Sequence, residues 1–342
     1  MRKITAMPDT RLAGSTPIDV VITWVDGGNP SFLEKLKPYL YGKPLCAIPG
    51  ANLTRFASVN EIKYCVLSIL RFAPFVRYIF IVTDNQDPNI NREISSHFPI
   101  RNNSIKIVNH KEIFRGFEKH LPTFNSRSIE SMLWRIEGLS DNFIYFNDDV
   151  FLIRETKPHD WFANNYPVLR GAWLQRPRFR FVWNSLLKWI NILILNNPDF
   201  QPRPSYHIGQ WLAAKELGFK WRYFFFSHTP FAINKKRVEV YFAENQQVFE
   251  RNVSYKFKDQ KQFNFVSLCN HLEILAGNRN FAKPNLAYLQ PHGRSNGYID
   301  KKIMMCQRDE SIKFLCVQSL ELCPVSDREK LFGWMDKTLG LE

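Results

Sequence analysis

The sequence predicts an α/β fold with a parallel-rich sheet. Short runs rich in β-branched and aromatic residues recur at 18–25, 78–83, 105–108 and 143–146. Helix-period segments separate several of them, the alternation expected of a parallel sheet. Three of the runs stop at polar clusters: Asp26-Gly27-Gly28, Asp84-Asn85-Gln86 and Asn147-Asp148-Asp149. Open α/β sheets present ligand groups at their carboxyl edge in this way. The 342 residues suffice for one large domain or two modest ones.

Taken in order, residues 1–17 read as a loose leader. The first strand, 18–25, ends at Asp26, which is either a ligand contact (ribose, base or metal) or a turn former. Residues 31–52 are interrupted by Pro38, Pro44 and Pro49. A helix is predicted from Ser58, with Ser58 and Glu61 at capping-box spacing and Ile62, Val66, Ile69 and Leu70 on its buried face. Arg55, Glu61 and Lys63 cluster at its start, where helix amides favour an anion. Ser126 or Ser128 caps the next predicted helix, whose apolar stripe is Ile129, Met132, Leu133 and Ile136 and whose end is Glu137-Gly138.

The densest stretch follows. A buried strand at 143–146 ends in Asn147-Asp148-Asp149, and apolar residues resume at Val150. Two adjacent carboxylates there are costly unless something positive neutralises them. A hard divalent cation that also holds a diphosphate is one such partner; an ordinary polar turn is the other reading.

Residues 155–205 are aromatic and basic and read as a lobe or insertion. Within them Trp183, Trp189 and an aliphatic run follow Arg176, Arg178 and Arg180. That composition suits an interfacial helix or, equally, a core helix of a second lobe. A helix over 207–217 stops at Gly218, and a strand at 223–226 ends in Ser227-His228-Thr229-Pro230. His271 and Glu273 read as structural. The segment 326–339 is a plausible closing helix, with Leu331, Trp334, Met335 and Leu339 apolar.

A hydrophobic content of 45% and an aromatic content of 15% indicate a folded protein, and a formal charge of +14 predicts anionic partners. No nucleic-acid motif accompanies the charge, so nucleic acid is not expected. Six cysteines show no CxxC pair, and the N-terminal stretch has no apolar core of a secretory signal. These features set the expectation of a reducing, cytoplasmic compartment.

Several motifs carry a family resemblance. Thr23-Trp24-Val25-Asp26-Gly27 is one. Arg55-Phe56-Ala57-Ser58, Glu61-Ile62-Lys63-Tyr64, Ala73-Pro74 and Ile81-Val82-Thr83-Asp84 form a second group. Leu121-Pro122-Thr123-Phe124-Asn125-Ser126, Ile129-Glu130 and Phe146-Asn147-Asp148-Asp149-Val150-Phe151 form the longest. In this order they resemble the Stealth family of sugar-phosphate transferases, which includes bacterial capsule hexose-1-phosphate transferases and the catalytic subunit of the lysosomal-tag N-acetylglucosamine phosphotransferase.

The resemblance implies a Rossmann-like or GT-A-like sheet with helices on both faces. It implies a catalytic domain over 18–280 with the aromatic, basic lobe inserted at 155–205, and a closing segment over 281–342. The implied reaction moves a sugar 1-phosphate from a nucleotide diphosphate sugar, a UDP-sugar by expectation, to a hydroxyl of a growing glycan, lipid-linked, in capsular or other surface polysaccharide. Mg²⁺ or Mn²⁺ would sit on Asp148 and Asp149, with Asp26 at the nucleotide end or in the metal shell. The family has a His-x-Pro where this chain has His228, the implied general base. Lys258, with Arg55, would stabilise phosphate charge. Glu61, Lys63, Asn125, Ser126, Glu130 and Asn147 are the implied substrate contacts.

The chain departs from the family pattern at Lys256 and Lys258, which replace arginines, and at Lys261 or Gln262, which replace an acid. Ser319 stands where the last short motif often has another acid. Two rivals stay open: a metal-dependent glycosyltransferase that uses the same carboxylates and donor but attacks the anomeric carbon, and, motivated by the changes at Lys258 and Gln262, a catalytically degenerate member that binds glycans or membranes. The expected location is cytoplasmic, peripheral on the inner face of the plasma membrane through residues 176–195.

Overall fold

A computed structural model describes residues 16–40, 58–198 and 200–341. Its centre is a five-stranded sheet of β1 (Ile18–Thr23), β2 (Val76–Thr83), β3 (Ile105–Asn109), β4 (Asn142–Asn147) and the strand Phe231–Asn234. Across the sheet the order is Phe231–Asn234, β4, β1, β2, β3. All neighbours are parallel except Phe231–Asn234, which runs antiparallel to β4. The predicted parallel-rich α/β sheet is therefore present.

Burial alternates between two cores, as the two-residue period of a strand requires. Val20, Ile22, Ile79, Ile81, Ile144 and Phe146 face one core. Val21, Phe80, Val82, Phe143 and Tyr145 face the other. The helices Glu61–Phe72 and Val325–Leu339 cover the first face, the latter through Leu331, Met335 and Leu339 as the sequence predicts. The helices Tyr206–Glu216 and Phe265–Leu275 lie on the second.

At the amino ends of the strands one buried carboxylate is tied off completely. Asp19 accepts from Arg77 Nε (2.9 Å) and NH2 (2.7 Å) and from the backbone N–H groups of Tyr78 (3.1 Å) and Ser140 (2.7 Å). A buried charge is tolerable when its acceptors are all used in this way. At the carboxyl ends the arrangement is open. After Asp148-Asp149 the chain leaves the central sheet and enters a second one through β5 (Val150–Leu152), which pairs antiparallel with Phe314–Val317. That strand pairs parallel with Leu286–Leu289. The two aspartates thus lie on the crossing between two sheets.

Two local expectations are corrected. The helix predicted from Ser58 begins at Glu61, with Asn60 as its N-cap in the left-handed region. Ser58 does not cap it; its hydroxyl accepts instead from Trp24 Nε1 (3.3 Å). The helix predicted from Ser126 to Ile136 is an α-helix only over Ser126–Glu130, capped by Asn125, followed by a 3-10 turn at Leu133–Arg135. Ser131 Oγ donates to the Arg127 carbonyl (2.8 Å), the local back-bonding that loosens a helix. Met132, Leu133 and Ile136 are nonetheless buried, as the apolar spacing predicts. The strand predicted at 223–226 is present as Arg222–Phe225, and it pairs with Ala172–Gln175 outside the central sheet. The strand that does join, Phe231–Asn234, is too short to stand out in the sequence.

Gly171 leads into that outer pair, and a Cβ there would collide with the Phe225 carbonyl oxygen. The collision is with backbone, so no rotamer relieves it. Gly171→Ala should lower stability by about 3 kcal/mol. An unchanged urea midpoint would contradict this packing.

Candidate functional site at the carboxyl edge of the sheet

Going outward from the centre, β1 is flanked by β2 on one side and β4 on the other, so the strand order reverses there. Ligands of open α/β sheets bind outside the strand ends at such a point. A cavity of about 560 Å³ occupies this place, a size that suits a small-molecule ligand. Thr23, Trp24 and Val25 from the end of β1 line it, together with Asn147, Asp148 and Asp149 from the end of β4. The β-strand ends are braced across it. Thr23 Oγ1 and Tyr145 OH lie 2.9 Å apart, and Tyr145 OH donates to Asn147 Oδ1 (2.8 Å).

The cavity wall is rich in carboxylates. Asp148, Asp149, Glu61 and Glu321 all line it. Both aspartates retain some contact with the cavity's solvent, but protein surrounds them on the other sides. Burial, then the neighbouring Asp149 and Glu61 charges, hold the Asp148 carboxyl well above its usual range. Burial and the Glu61 charge push Asp149 up to about 7. Burial likewise raises Glu61 and Glu321. One oxygen on each of two of these residues, Asp149 Oδ1 and Glu321 Oε1, is buried without a hydrogen-bond partner. Unmet acceptors of this kind are rare in folded proteins and call for a cation or donor.

A divalent cation fits this donor set. Among the described residues no three His, Cys, Asp or Glu side chains converge closely enough to cage an ion. Mg²⁺, however, is commonly held by one or two carboxylates, with waters and substrate phosphates completing its shell. Asp148 and Asp149 are the residues that would hold it.

Across the cavity stand the other predicted groups. Lys258, Ser126 and Glu130 line it, and Ser126 Oγ donates to Glu130 Oε1 (3.0 Å). Burial raises the Glu130 carboxyl, opposed chiefly by the Lys258 charge. His228 is held between two tyrosine rings: Tyr206 at 4.8 Å and 11° between planes, Tyr288 at 5.4 Å and 26°. Burial, helped by Lys258, brings its pKa down to about 4, so the ring is neutral near pH 7. Gln318 Nε2 lies 3.3 Å from His228 Nδ1, and Tyr288 OH donates to Gln318 Oε1 (2.6 Å).

Other predicted residues lie elsewhere. Asp26 shapes the turn: Oδ1 accepts from Gly28 N (2.9 Å), while its backbone groups bond the Gln86 side chain. It does not line the cavity. Lys63 pairs with Glu93 at 3.7 Å, also away from it. Asn125 is buried and spent on structure, accepting from Arg127 N (3.1 Å) and donating to the Tyr255 (3.2 Å) and Phe257 (2.9 Å) carbonyls and to Gln262 Oε1 (2.8 Å). Arg55 lies outside the described residues.

The departures at 256 and 262 have a structural reason. Lys256 Nζ donates to the carbonyls of His120 (2.9 Å), Leu121 (3.1 Å) and Pro122 (3.0 Å). Gln262 is buried and donates to the Asn252 carbonyl (2.7 Å), which an ionised acid cannot do. His271 is also structural, accepting from Phe224 N (2.9 Å), and Glu273 pairs with Arg237 (2.7 Å).

Three cavity residues, Tyr206, Gln318 and Glu321, had no place in the sequence reading of the site, nor had Tyr288, which stacks on His228. A signal for two of them exists, because the strand Phe314–Val317 also stops at a polar group, Gln318-Ser319, with Glu321 beyond.

Family models match in two places: Stealth protein CR1, conserved region 1, over residues 16–42, and Stealth protein CR2, conserved region 2, over 55–168. The chain carries two conserved regions of the Stealth family. The two Stealth regions contain β1, Glu61, Ser126, Glu130 and both aspartates, whereas His228, Lys258, Gln318 and Glu321 lie beyond them. Among relatives, the capsular polysaccharide phosphotransferase cps1A of Actinobacillus pleuropneumoniae is 42% identical over 151 residues, 44% of this chain and 39% of its own. The exopolysaccharide phosphotransferase SCO2594 of Streptomyces coelicolor is 30% identical over 275 residues, 80% of this chain and 41% of its own. The chain thus spans about two fifths of these relatives' length. Among solved structures, the galactosyltransferase LgtC in complex with donor and acceptor sugar analogs aligns over 93% of this chain and 95% of its own, with 11% identity and a TM-score of 0.42. Mouse xyloside xylosyltransferase 1 aligns over 88% and 97%, with 12% identity and a TM-score of 0.38. Scores this low describe a loose likeness of arrangement, and nothing about the site follows from them.

Proposed function

We propose that this chain transfers a sugar 1-phosphate from a nucleotide diphosphate sugar to a hydroxyl of a growing surface glycan. The acceptor oxygen attacks the phosphorus that bears the sugar, the bond from that phosphorus to the bridging oxygen breaks, and the nucleoside monophosphate leaves. The product is a phosphodiester. The observation that carries this reading is the pair Asp148-Asp149, with an unmet carboxylate oxygen, facing a cavity that Lys258 and His228 also line. The names of the relatives, capsular and exopolysaccharide phosphotransferases, support the same chemistry. UDP-sugars are the donors to try first.

A divalent cation bound by Asp148 and Asp149 would neutralise diphosphate charge. The chain's own groups do the rest. Lys258 offsets negative charge on the transferred phosphate, where little covalent help is available and positioning dominates. His228, neutral and clamped between Tyr206 and Tyr288, takes the proton of the acceptor hydroxyl. Gln318 decides which ring nitrogen is free to do so. With its amide nitrogen donating to Nδ1, the ring proton sits on Nε2. The base role needs the amide turned end for end, and the Tyr288 hydroxyl accommodates both settings because it accepts as well as donates. His228→Ala should lower kcat by roughly 10²–10⁴-fold with an unchanged melting curve. Activity close to wild type would remove the base assignment.

The glycosyltransferase alternative differs in its products, and the degenerate-binder alternative loses support from the structural roles of Lys256 and Gln262. Purified protein with Mn²⁺ or Mg²⁺, a panel of nucleotide sugars and capsule-type oligosaccharides is the test. Nucleoside monophosphate release together with a glycan phosphodiester signal in ³¹P NMR is the expected result. Nucleoside diphosphate release without glycan phosphorus would overturn it in favour of glycosyl transfer.

A further inference from the structure

The helix Arg178–Leu193 is 16 residues long and none of them is buried. The sequence left two readings of this segment open, and its exposure excludes a core helix. The exposed side is apolar: Phe179 (77% exposed), Val182 (66%), Trp183 (50%), Leu186 (43%), Trp189 (52%) and Leu193 (66%). Their spacing of three and four residues puts them in one band along the helix. Phe179 and Trp183 stack on each other in that band, with ring centres 6.4 Å apart. The opposite side fastens the helix to the body. Phe181 packs beside Trp211 and Tyr223, and the Arg176 guanidinium lies over the Phe181 (5.9 Å) and Trp211 (5.7 Å) rings.

The charge around the band is of one sign. No acidic residue occurs from residue 161 to 198. Arg178 and Arg180 are exposed and, at 100° per residue, flank the apolar band on its two sides. Arg178 also lies over the ring of Trp221 (5.8 Å), itself two-thirds exposed, which adds a third indole to the patch.

We propose that this helix is a docking surface for an anionic lipid bilayer, lying flat in the headgroup region. Indoles above an aliphatic band, rimmed by arginine, match the chemistry of that boundary, with apolar chains below and phosphates beside them. A second copy of the chain is a poorer occupant, because a two-fold contact would set the same unbalanced arginines against one another. The helix does not span: it is about 24 Å long with one apolar face, and among the described residues no helix is long and apolar enough to cross a membrane. Pro204 and Tyr206, which follow the helix in the sequence, line the cavity. The binding itself is independent of the transfer reaction.

The test is vesicle sedimentation of the full chain with phosphatidylcholine alone and with about 30% phosphatidylglycerol added. Wild type should partition about tenfold or more in favour of the anionic vesicles, with a blue shift of tryptophan fluorescence. The double variant Phe179→Ser/Trp183→Ser should lose that binding while keeping the wild-type melting curve, since both side chains are exposed. Arg178→Gln/Arg180→Gln should weaken binding to anionic vesicles by roughly 30-fold, the equivalent of about fivefold for each cation near the surface. Equal sedimentation of wild type and the Phe179→Ser/Trp183→Ser variant would overturn the proposal. So would light scattering that finds a dimer abolished by the same substitutions without vesicle binding, which would make the face a contact between copies. Absent vesicle binding alongside intact ³¹P-detected transfer would sink the docking surface and leave the transferase reading standing.

Discussion

Asparagine at position 149 should reduce turnover by about 10³-fold or more and at the same time make the metal-free protein harder to unfold. The two effects have one cause. The Asp149 carboxylate is held where burial and the Glu61 charge oppose its ionisation, and one of its oxygens meets no donor. An unfolded aspartate ionises near its ordinary value of 3.8, whereas the folded one does so at about 7. The folded state therefore binds the extra proton between those limits, and stability falls as pH rises through that window. The destabilisation is absent below the lower value and complete above the upper one. Asparagine removes it, so the gain appears at pH 8 and vanishes near pH 4. After discounting for the solvent contact the group retains, the gain is about 1–2 kcal/mol, or roughly 2–3 °C in a chain of this size. Melting curves and steady-state rates on the same preparation check both halves. A variant that is both inactive and less stable at pH 8 would mean that the carboxylate serves the fold and not the chemistry.

Mn²⁺ or Mg²⁺ should raise the melting temperature at pH 8 and do little at pH 5. Asp148 and Asp149 both carry raised values, the former from burial and the adjacent Asp149 and Glu61 charges. At pH 5 the folded carboxyls are largely protonated and a cation must displace protons to bind; at pH 8 it meets ionised ligands. At 100 times its dissociation constant a ligand specific to the folded state contributes about 2.7 kcal/mol, here roughly 4 °C. Differential scanning fluorimetry across that pH range, with EDTA as the control, measures this directly. An equal shift at both pH values, or one that survives in Asp148→Asn/Asp149→Asn, would place the cation elsewhere.

What could be read from the sequence followed from burial. The strands β1, β2 and β4 are apolar on both faces, so their composition announces them, and the acids at their ends mark the ligand-binding edge. Asp148, Asp149, Ser126, Glu130, His228 and Lys258 do meet in one cavity. Side chains with the right chemistry and the wrong surroundings misled. Asn125 and Lys63 look like substrate contacts, but backbone carbonyls claim one and Glu93 the other. The Gln318–His228 contact joins residues ninety positions apart, a pairing that no local pattern encodes. The helix at 126–136 was overextended because hydroxyl back-bonding at Ser131 competes with the helical ladder, whereas apolar periodicity does not register it. The segment at 178–193 was ambiguous for a simpler reason: a stripe of period 3.6 is the same whether it meets a core or water.

The crossing of the chain between two sheets has a consequence for how the molecule can be divided. Asp149 is gripped from the far side of the sequence: its carbonyl accepts from Val317 N (3.0 Å), and Cys316 Sγ lies 3.9 Å from its Oδ2. A fragment cut after the second matched region would keep both aspartates and every residue that the family models recognise. It would lack the strand Phe314–Val317 that sets the angle of their turn. The heritable signature and the working unit are therefore different lengths of chain, and a domain swapped between relatives at the edge of the signature would carry the ligands without the jig that aligns them.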